Sequence, residues 1–118
     1  MTKITLKIEG KKKTFKQDYV SWGTRRKAME LEIEGAKGEL NPLDYLDKQA
    51  DFIVEFFSID EKPQFTKEQL ENGLAADEVK DTLYDVIGVG SLGMKSREEL
   101  ESVGESQENL ESEHQQKD

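Results

Sequence analysis

Apolar and polar residues alternate at the start of the chain. Residues 3–9 read Lys-Ile-Thr-Leu-Lys-Ile-Glu, so every second side chain is apolar. This period of two is typical of a strand with one buried face. After Gly10 a shorter alternation runs to Tyr19, so we predict a β-hairpin over residues 2–19 with lysines 11–13 in its turn. A lone hairpin is marginal in water and must pack on helices or on another chain.

The segment 21–36 fits two patterns. Residues 29–33 alternate like a strand, but four apolar residues also share one helical face. That face comprises Trp22, Met29, Ile33 and Ala36. Strong helix formers fill most of 25–34, and Gly35 and Gly38 follow as helix terminators, so we predict a helix.

Asn41-Pro42 marks the start of the next helix, because a capping side chain precedes a proline at the first helical position. We expect this helix to run to about Ser58. One apolar row comprises Leu43, Leu46, Ala50, Ile53, Val54 and Phe57. A second row comprises Tyr45, Phe52 and Phe56. The combined arc of roughly 200° exceeds the roughly 100° of an ordinary surface helix, so the helix is either central to the domain or faces a partner.

Two further helices are predicted in the second half of the chain. Thr66, followed three residues later by Gln69, forms a capping box that opens a short helix ending near Gly73. Residues 76–87 form an amphipathic helix. Its apolar face comprises Val79, Leu83, Val86 and Ile87. The three glycines of residues 88–93 are predicted to stop this helix and to form a flexible linker.

Apolar residues become sparse beyond Met94, where only Leu100, Val103 and Leu110 remain among Glu, Ser and Gln. This composition cannot offset the roughly 1 to 2 kcal/mol per residue of conformational entropy lost on ordering. We therefore predict an α+β domain at residues 1–93, built from an N-terminal β-hairpin followed by three to four helices. Residues 94–118 are predicted to form a disordered, flexible acidic tail.

The charge is unevenly distributed along the chain. Its 26 acidic and 17 basic residues give a net charge of −9. Residues 1–27 hold nine basic and two acidic residues, whereas residues 28–96 hold six basic and sixteen acidic ones. The basic groups at 11–13 and 25–27 are candidates for nucleic-acid contact, but they lack interleaved aromatic residues and the rest of the chain is acidic. Opposite charges on one chain instead favour contact between copies, so we predict self-association and no nucleic-acid partner.

The residues required by most enzyme classes are missing. The chain has no cysteine and a single histidine, which excludes disulfides and thiolate metal sites and makes a Ser-His pair hard to assemble. That histidine, His114, lies among polar tail residues, so we predict no metal site. No run approaches the roughly 18 to 20 apolar residues of a membrane span, so we expect a soluble, cytoplasmic protein without a membrane partner.

Two motifs have a simpler structural interpretation. Residues 88–93 match the G-x-G-x-x-G dinucleotide fingerprint, but a predicted helix precedes them where that motif needs a strand. The acidic residues of the second helix occupy its most polar arc, which is typical of a solvated face. They are Asp44, Asp47, Asp51 and Glu55. We therefore predict no cofactor and no enzymatic activity.

Aromatic and basic residues are the best candidates for binding another protein, because aromatic side chains supply large buried areas at interfaces. The protein-binding candidates are Trp22, Arg25, Arg26, Tyr45, Phe52 and Phe56. The aromatic members could equally form the domain core, and the sequence leaves this alternative open.

The order of these elements resembles that of a known family. Its pattern appears in the blocks Ile4-Thr5-Leu6-Lys7-Ile8, Gly10-Lys11, Asp18-Tyr19-Val20-Ser21, Arg25-Arg26-Lys27-Ala28-Met29-Glu30-Leu31, Phe65-Thr66, Gly73-Leu74 and Thr82-Leu83. Over about residues 2–90, the chain resembles the tail assembly chaperones of long-tailed bacteriophages, particularly the G-type proteins of phages of Gram-positive bacteria. Residues 1–93 are thus expected to form a tail assembly chaperone-like domain.

The resemblance implies a non-enzymatic factor of virion morphogenesis. Such a protein binds and solubilises the tape measure protein before tail tube subunits polymerise around it. In that family a programmed frameshift appends a second domain to a minority of copies, which helps recruit the tail tube protein, and this chain looks like the shorter product. The resemblance further implies a location in the host cytoplasm and absence from the mature virion.

A second hypothesis rests on charge alone. A small acidic protein can mimic DNA and block a nucleic-acid-binding protein. Mimicry predicts binding that collapses with salt, whereas apolar binding should survive moderate salt.

Overall fold

Two antiparallel strands, β1 at Thr2–Ile8 and β2 at Lys11–Gln17, open the chain in a computed structural model that describes residues 1–101. The turn between them is Glu9-Gly10, and both residues have the positive φ that a type I′ turn requires. The predicted hairpin is confirmed. Lysines 11–13, however, lie in β2 and not in the turn, because the two-residue turn leaves no room for them.

Helix α1 spans Trp22–Lys37, which confirms the helical alternative for this segment. Its first turn is capped by Ser21, whose side-chain oxygen accepts a hydrogen bond from the backbone N–H of Thr24 at 3.1 Å. Gly38, with φ near +68°, ends the helix. Helix α2 follows at Pro42–Phe56 and starts at the predicted asparagine cap.

The apolar face predicted for α1 points to solvent. Trp22 is 87% exposed, and Met29 and Ile33 are also exposed. Helix α1 instead buries Ala28 and Leu31, and it packs against α2 and the segment at residues 84–91. The position of a residue relative to the elements that pack on the helix, and not its apolarity alone, therefore decides whether it is buried.

Gly35 lies inside α1 and does not terminate it. A Cβ atom at this position would overlap the ring of Tyr45, so the glycine lets α2 approach α1 closely. Two ion pairs link the same helices, between Lys27 and Glu55 and between Lys48 and Glu34. Both pairs are well exposed, so packing contributes more than these charges to the helix contact.

The second half of the chain forms shorter helical segments. Helix α3 covers Lys67–Gly73, a 3₁₀ turn covers Ala76–Glu78, α4 covers Val79–Leu83 and a π-helical segment covers Tyr84–Ser91. The predicted capping box at the start of α3 is present: the Thr66 hydroxyl accepts from the Gln69 N–H at 3.1 Å and the Gln69 side chain accepts from the Thr66 N–H at 2.9 Å.

The glycine-rich stretch is packed, which corrects the prediction of a helix stop and flexible linker. Gly88 is buried within the π-helical segment. A Cβ atom at Gly90 would lie 2.8 Å from Thr2 Oγ1 and 2.9 Å from Phe56 Cζ. Gly90 therefore allows the π-helical segment to approach β1 and α2 at distances that a side chain would prevent.

Five phenylalanines join the hairpin to α2. Ring centroids lie 5.0 Å apart for Phe15 and Phe65, 5.7 Å for Phe65 and Phe57, and 5.0 Å for Phe57 and Phe56. Phe52 extends the row. The buried apolar residues are Ile4, Leu6, Ala28, Leu31, Phe52, Ile53, Phe56, Phe57, Phe65, Leu70, Val86 and Ile87. The C-terminal half of α2 therefore lies at the centre of the core.

Side-chain amides satisfy the carbonyl groups at the end of α2. The Gln17 side chain donates to the carbonyl oxygens of Phe56 and Ser58 at 3.0 and 2.9 Å. The Gln64 side chain donates to those of Lys16 and Phe57 at 2.9 and 2.8 Å. These bonds hold the end of the hairpin against the end of α2.

Residues 94–101 follow the packed helices. The Met94 N–H donates to the Gly88 carbonyl at 3.0 Å, and Arg97 pairs with Asp85 at 2.8 Å and with Asp81 at 3.3 Å. The predicted α+β fold, a hairpin followed by helices, is confirmed. The remainder of the predicted disordered tail, residues 102–118, lies outside the described residues, and the boundary at residue 93 stays a prediction.

Candidate functional site

An apolar groove, called here the α2–α4 groove, lies between α2, α3 and α4. Its α2 side is formed by residues at intervals of three and four, which place them on one helical face. Its apolar lining comprises Leu43, Leu46, Ala50, Ile53, Leu70, Leu74, Val79 and Leu83. From Leu43 to Ile53 the face spans about 15 Å, the length of roughly three turns of a helix.

The groove has a buried floor and open walls. Ile53 and Leu70 form the floor and also belong to the core. On the walls, Leu43 is 70% exposed and Leu46 is 46% exposed. The helix caps position these walls, since Asn41 fixes the start of α2 and the Leu74 N–H bonds back to the Leu70 carbonyl at the end of α3.

Acidic residues line part of the groove. Asp47 and Glu71 lie among its apolar residues. Lys67 is near this edge, with its Nζ atom 3.5 Å from Asp47 and 3.3 Å from Asp51. Desolvation lowers the pKa of Lys67, but the hydrogen bonds and charges of Asp51 and Asp47 outweigh it, so this pKa lies above its ordinary value. Lys67 pairs with Asp47 and Asp51, and Glu71 adds a third carboxylate, so this edge of the groove carries a net negative charge.

The volume of the groove, about 430 Å³, can hold several apolar side chains. Its apolar lining and its acidic rim suit an amphipathic helix with basic flanks. Residues 1–101 contain no cluster of three metal-ligating side chains. Within the same residues, no helix combines the length and apolarity needed to cross a membrane.

Three of the predicted binding residues lie together on a second surface. Trp22, Arg25 and Arg26 line a concavity that also includes Met29 and is bordered by Gly90 of the π-helical segment. Arg26 is 3.4 Å from Glu30 in an exposed pair on the same helix. We call this surface the outer face of α1. It combines exposed apolar area with positive charge.

The other three predicted residues are separated from this surface. Tyr45 is half-buried at the contact between α1 and α2, where burial and then the neighbouring Glu32 carboxylate raise its pKa. Phe52 and Phe56 are buried. The structure thus resolves the alternative that the sequence leaves open: these two rings form core, while the exposed part of α2 is its N-terminal half.

The chain matches the family model described as phage tail chaperone protein over residues 1–115. The chain belongs to the phage tail chaperone family. No curated protein and no solved structure matches it. The match confirms the resemblance to tail assembly chaperones and extends beyond residues 2–90. Membership of this family indicates a role in tail assembly through protein partners, and a chaperone role points away from catalysis.

Sequence reasoning missed the groove as a site of this tail chaperone. It placed Leu43 and Leu46 on one helix, which was either central to the domain or facing a partner, and Val79 and Leu83 on a separate amphipathic helix. The excess of apolar residues at the start of α2 was the available signal. Only the tertiary arrangement shows that α3 and α4 stop short of covering them.

Proposed function

We propose that this tail chaperone solubilises the tape measure protein by binding its amphipathic helical segments in the α2–α4 groove, and that it catalyses no reaction. The observation that carries the proposal is the exposure of Leu43 and Leu46 above a buried apolar floor. A long helical partner needs its apolar faces covered until assembly, and a groove three turns long covers one such face. When many copies bind along one partner, their individually weak contacts add up and keep the partner's apolar faces covered.

The lining of the groove indicates which substitutions should weaken binding of the tape measure protein. Replacing both wall residues, Leu43→Gln with Leu46→Gln, should weaken binding to a tape measure segment at least about tenfold, because each buried leucine contributes about 1.5 to 3 kcal/mol. Fluorescence anisotropy of a labelled segment measures this, and co-expression followed by size exclusion measures the loss of soluble complex.

A matched control is available in the exposed Ile59, which lies outside the groove. Ile59→Gln should bind as the unmodified chain does. All three positions are exposed, so circular dichroism should show unchanged folding. Unchanged affinity of the double variant would exclude the groove as the site. Collapse of binding at moderate salt would instead favour the acidic DNA-mimic hypothesis.

We further propose that the outer face of α1 mediates self-association. An exposed tryptophan beside Met29 and Ile33 presents apolar area of the kind that marks interaction sites. The nearby arginines can pair with the acidic surface of a second copy. Trp22→Gln with Ile33→Gln is therefore expected to shift sedimentation velocity profiles toward the monomer, whereas Ile59→Gln should leave them unchanged. Identical profiles for all variants would refute this assignment.

Recruitment of the tail tube protein through a longer frameshift product is also proposed, on the strength of family membership. Co-purification of tube protein with the longer product, and not with this chain alone, is the expected result. Recovery of tube protein by this chain alone would contradict it.

A further inference from the structure

The outer face of the hairpin carries four lysines at close range. The strand register places Lys3 opposite Lys16 and Lys7 opposite Lys12. Directly opposed residues project from the same side of a sheet, and the buried Ile4 and Leu6 occupy the other side. We call Lys3, Lys7, Lys12 and Lys16 the lysine face.

The close spacing of these lysines destabilises the hairpin. Like charges directly across a strand pair repel one another, and here two such pairs lie on one face. Between the pairs, only the neutral Thr5 and Thr14 face each other, with their hydroxyls 2.9 Å apart. None of the ion pairs found within residues 1–101 involves a lysine of the hairpin. The lysine face therefore favours an anionic occupant from outside the described fold.

The acidic surface of the folded body is a weaker candidate for this occupant. Seven of the 19 acidic residues at positions 28–101 form an ion pair within their own chain. The paired carboxylates include Glu34, Asp47, Asp51, Glu55, Asp81 and Asp85. Their negative charge is thereby partly neutralised, which reduces their attraction for a second copy's lysines.

Residues 102–118 are acidic and contain little positive charge of their own. They contain five acidic residues and one basic residue, Lys117. The four glutamates of this segment precede that lysine, so residues 102–116 carry no positive charge. They are also tethered to the same molecule, which gives an effective concentration of about millimolar order, above that of a dilute second copy.

The segment begins near enough to reach the hairpin. The π-helical segment lies against the first residue of β1, because a Cβ at Gly90 would sit 2.8 Å from Thr2 Oγ1. Arg97 holds the following residues along the same helical region through Asp85 and Asp81. A segment of 17 residues can span up to about 56 Å, whereas a seven-residue strand is about 23 Å long.

We propose that residues 102–118 bind across the lysine face of the hairpin in the same molecule. The contact neutralises the lysines and shields them from nucleic acids and other polyanions. It is independent of the proposed function of the groove. Because it is electrostatic and exposed, it weakens as salt shortens the Debye length.

A spin label tests this contact on the full chain. The chain contains no cysteine, so Ser112→Cys gives a single attachment point for a nitroxide. At about 0.02 M salt, paramagnetic broadening is expected for the amide signals of the hairpin, and it should disappear at about 0.5 M salt. Absence of hairpin broadening at low salt would overturn the proposal.

Charge variants test whether the lysine face is the part of the hairpin that binds residues 102–118. Replacing the four residues of the lysine face with glutamine should abolish the broadening. The variant should still fold, since it removes like-charge repulsion. The control replaces four exposed lysines elsewhere, Lys37, Lys62, Lys80 and Lys95, and should retain the broadening. Equal broadening in both variants would overturn the proposal.

A mixed sample distinguishes binding within one molecule from binding between two copies of the chain. Isotope-labelled chain without the nitroxide is mixed with unlabelled chain that carries it. Hairpin signals in this mixture should stay sharp. Broadening as strong as in the singly labelled chain would mean that the lysines bind the segment of another molecule, which would overturn the proposal.

Discussion

Replacing Phe57 with alanine is expected to lower the free energy of unfolding by about 3 to 5 kcal/mol, the range for phenylalanine deletions in a packed core. Phe57 is fully buried and contacts the rings of Phe56 and Phe65, so its loss leaves a cavity between α2 and the hairpin. Urea denaturation followed by circular dichroism measures the change.

Trp22→Ala is the matched control, because it removes a larger ring that is 87% exposed. The free energy of unfolding should change by less than about 0.5 kcal/mol, as for most surface substitutions. Similar destabilisation by both changes would contradict the placement of the two rings.

Gly73→Ala is expected to destabilise the fold by about 1 to 3 kcal/mol, the usual cost of forcing atoms into a packed site. An added Cβ would lie 2.9 Å from the Lys7 carbonyl oxygen and 3.1 Å from the Leu6 Cβ. Backbone atoms of β1 cannot rotate away, so α3 would have to move off the hairpin. Thermal unfolding monitored by circular dichroism measures the effect.

Gly23→Ala is expected to change the stability of the fold in the opposite direction. An added Cβ at this helical position meets only the Ser21 hydroxyl at 3.7 Å. Alanine is the better helix former, so stability should rise by up to about 1 kcal/mol. If both glycine variants were stabilised, the close contact of α3 with β1 would be incorrect.

The starts of the helices are predictable from the sequence because capping is local. Asn41-Pro42 and the Thr66/Gln69 capping box each involve residues within one turn, and both caps are present. The hairpin is predictable for a similar reason, since Gly10 supplies the positive φ of the turn between the two alternating segments. These predictions need no knowledge of distant residues.

Burial is less predictable because it depends on what packs against each face. Trp22 and Met29 form an apolar face of α1 that nothing among residues 1–101 covers, while Ala28 is fully buried in the core. The glycines at 88 and 90 look like a linker, yet each occupies a close contact. A sequence cannot indicate a contact whose other half lies far along the chain.

The candidate site was predicted only in part for the same reason. Trp22, Arg25 and Arg26 do share one surface, as their spacing on one helix requires. Phe52 and Phe56 lie on the predicted helix but face inward. The groove between α2, α3 and α4 is formed by three segments, and no single periodicity could reveal it.

The amino-acid sequence thus determines the β-hairpin, the helices with their caps, and the uneven distribution of charge along the chain. The order of these elements points to the tail chaperone family. The tertiary structure alone decides that the aromatic end of α2 is core, that its leucine-rich start is open, and that the glycines at 88 and 90 are packed. Hydrogen-bonded elements arise from neighbouring residues, whereas the core and the groove arise from how distant segments approach one another.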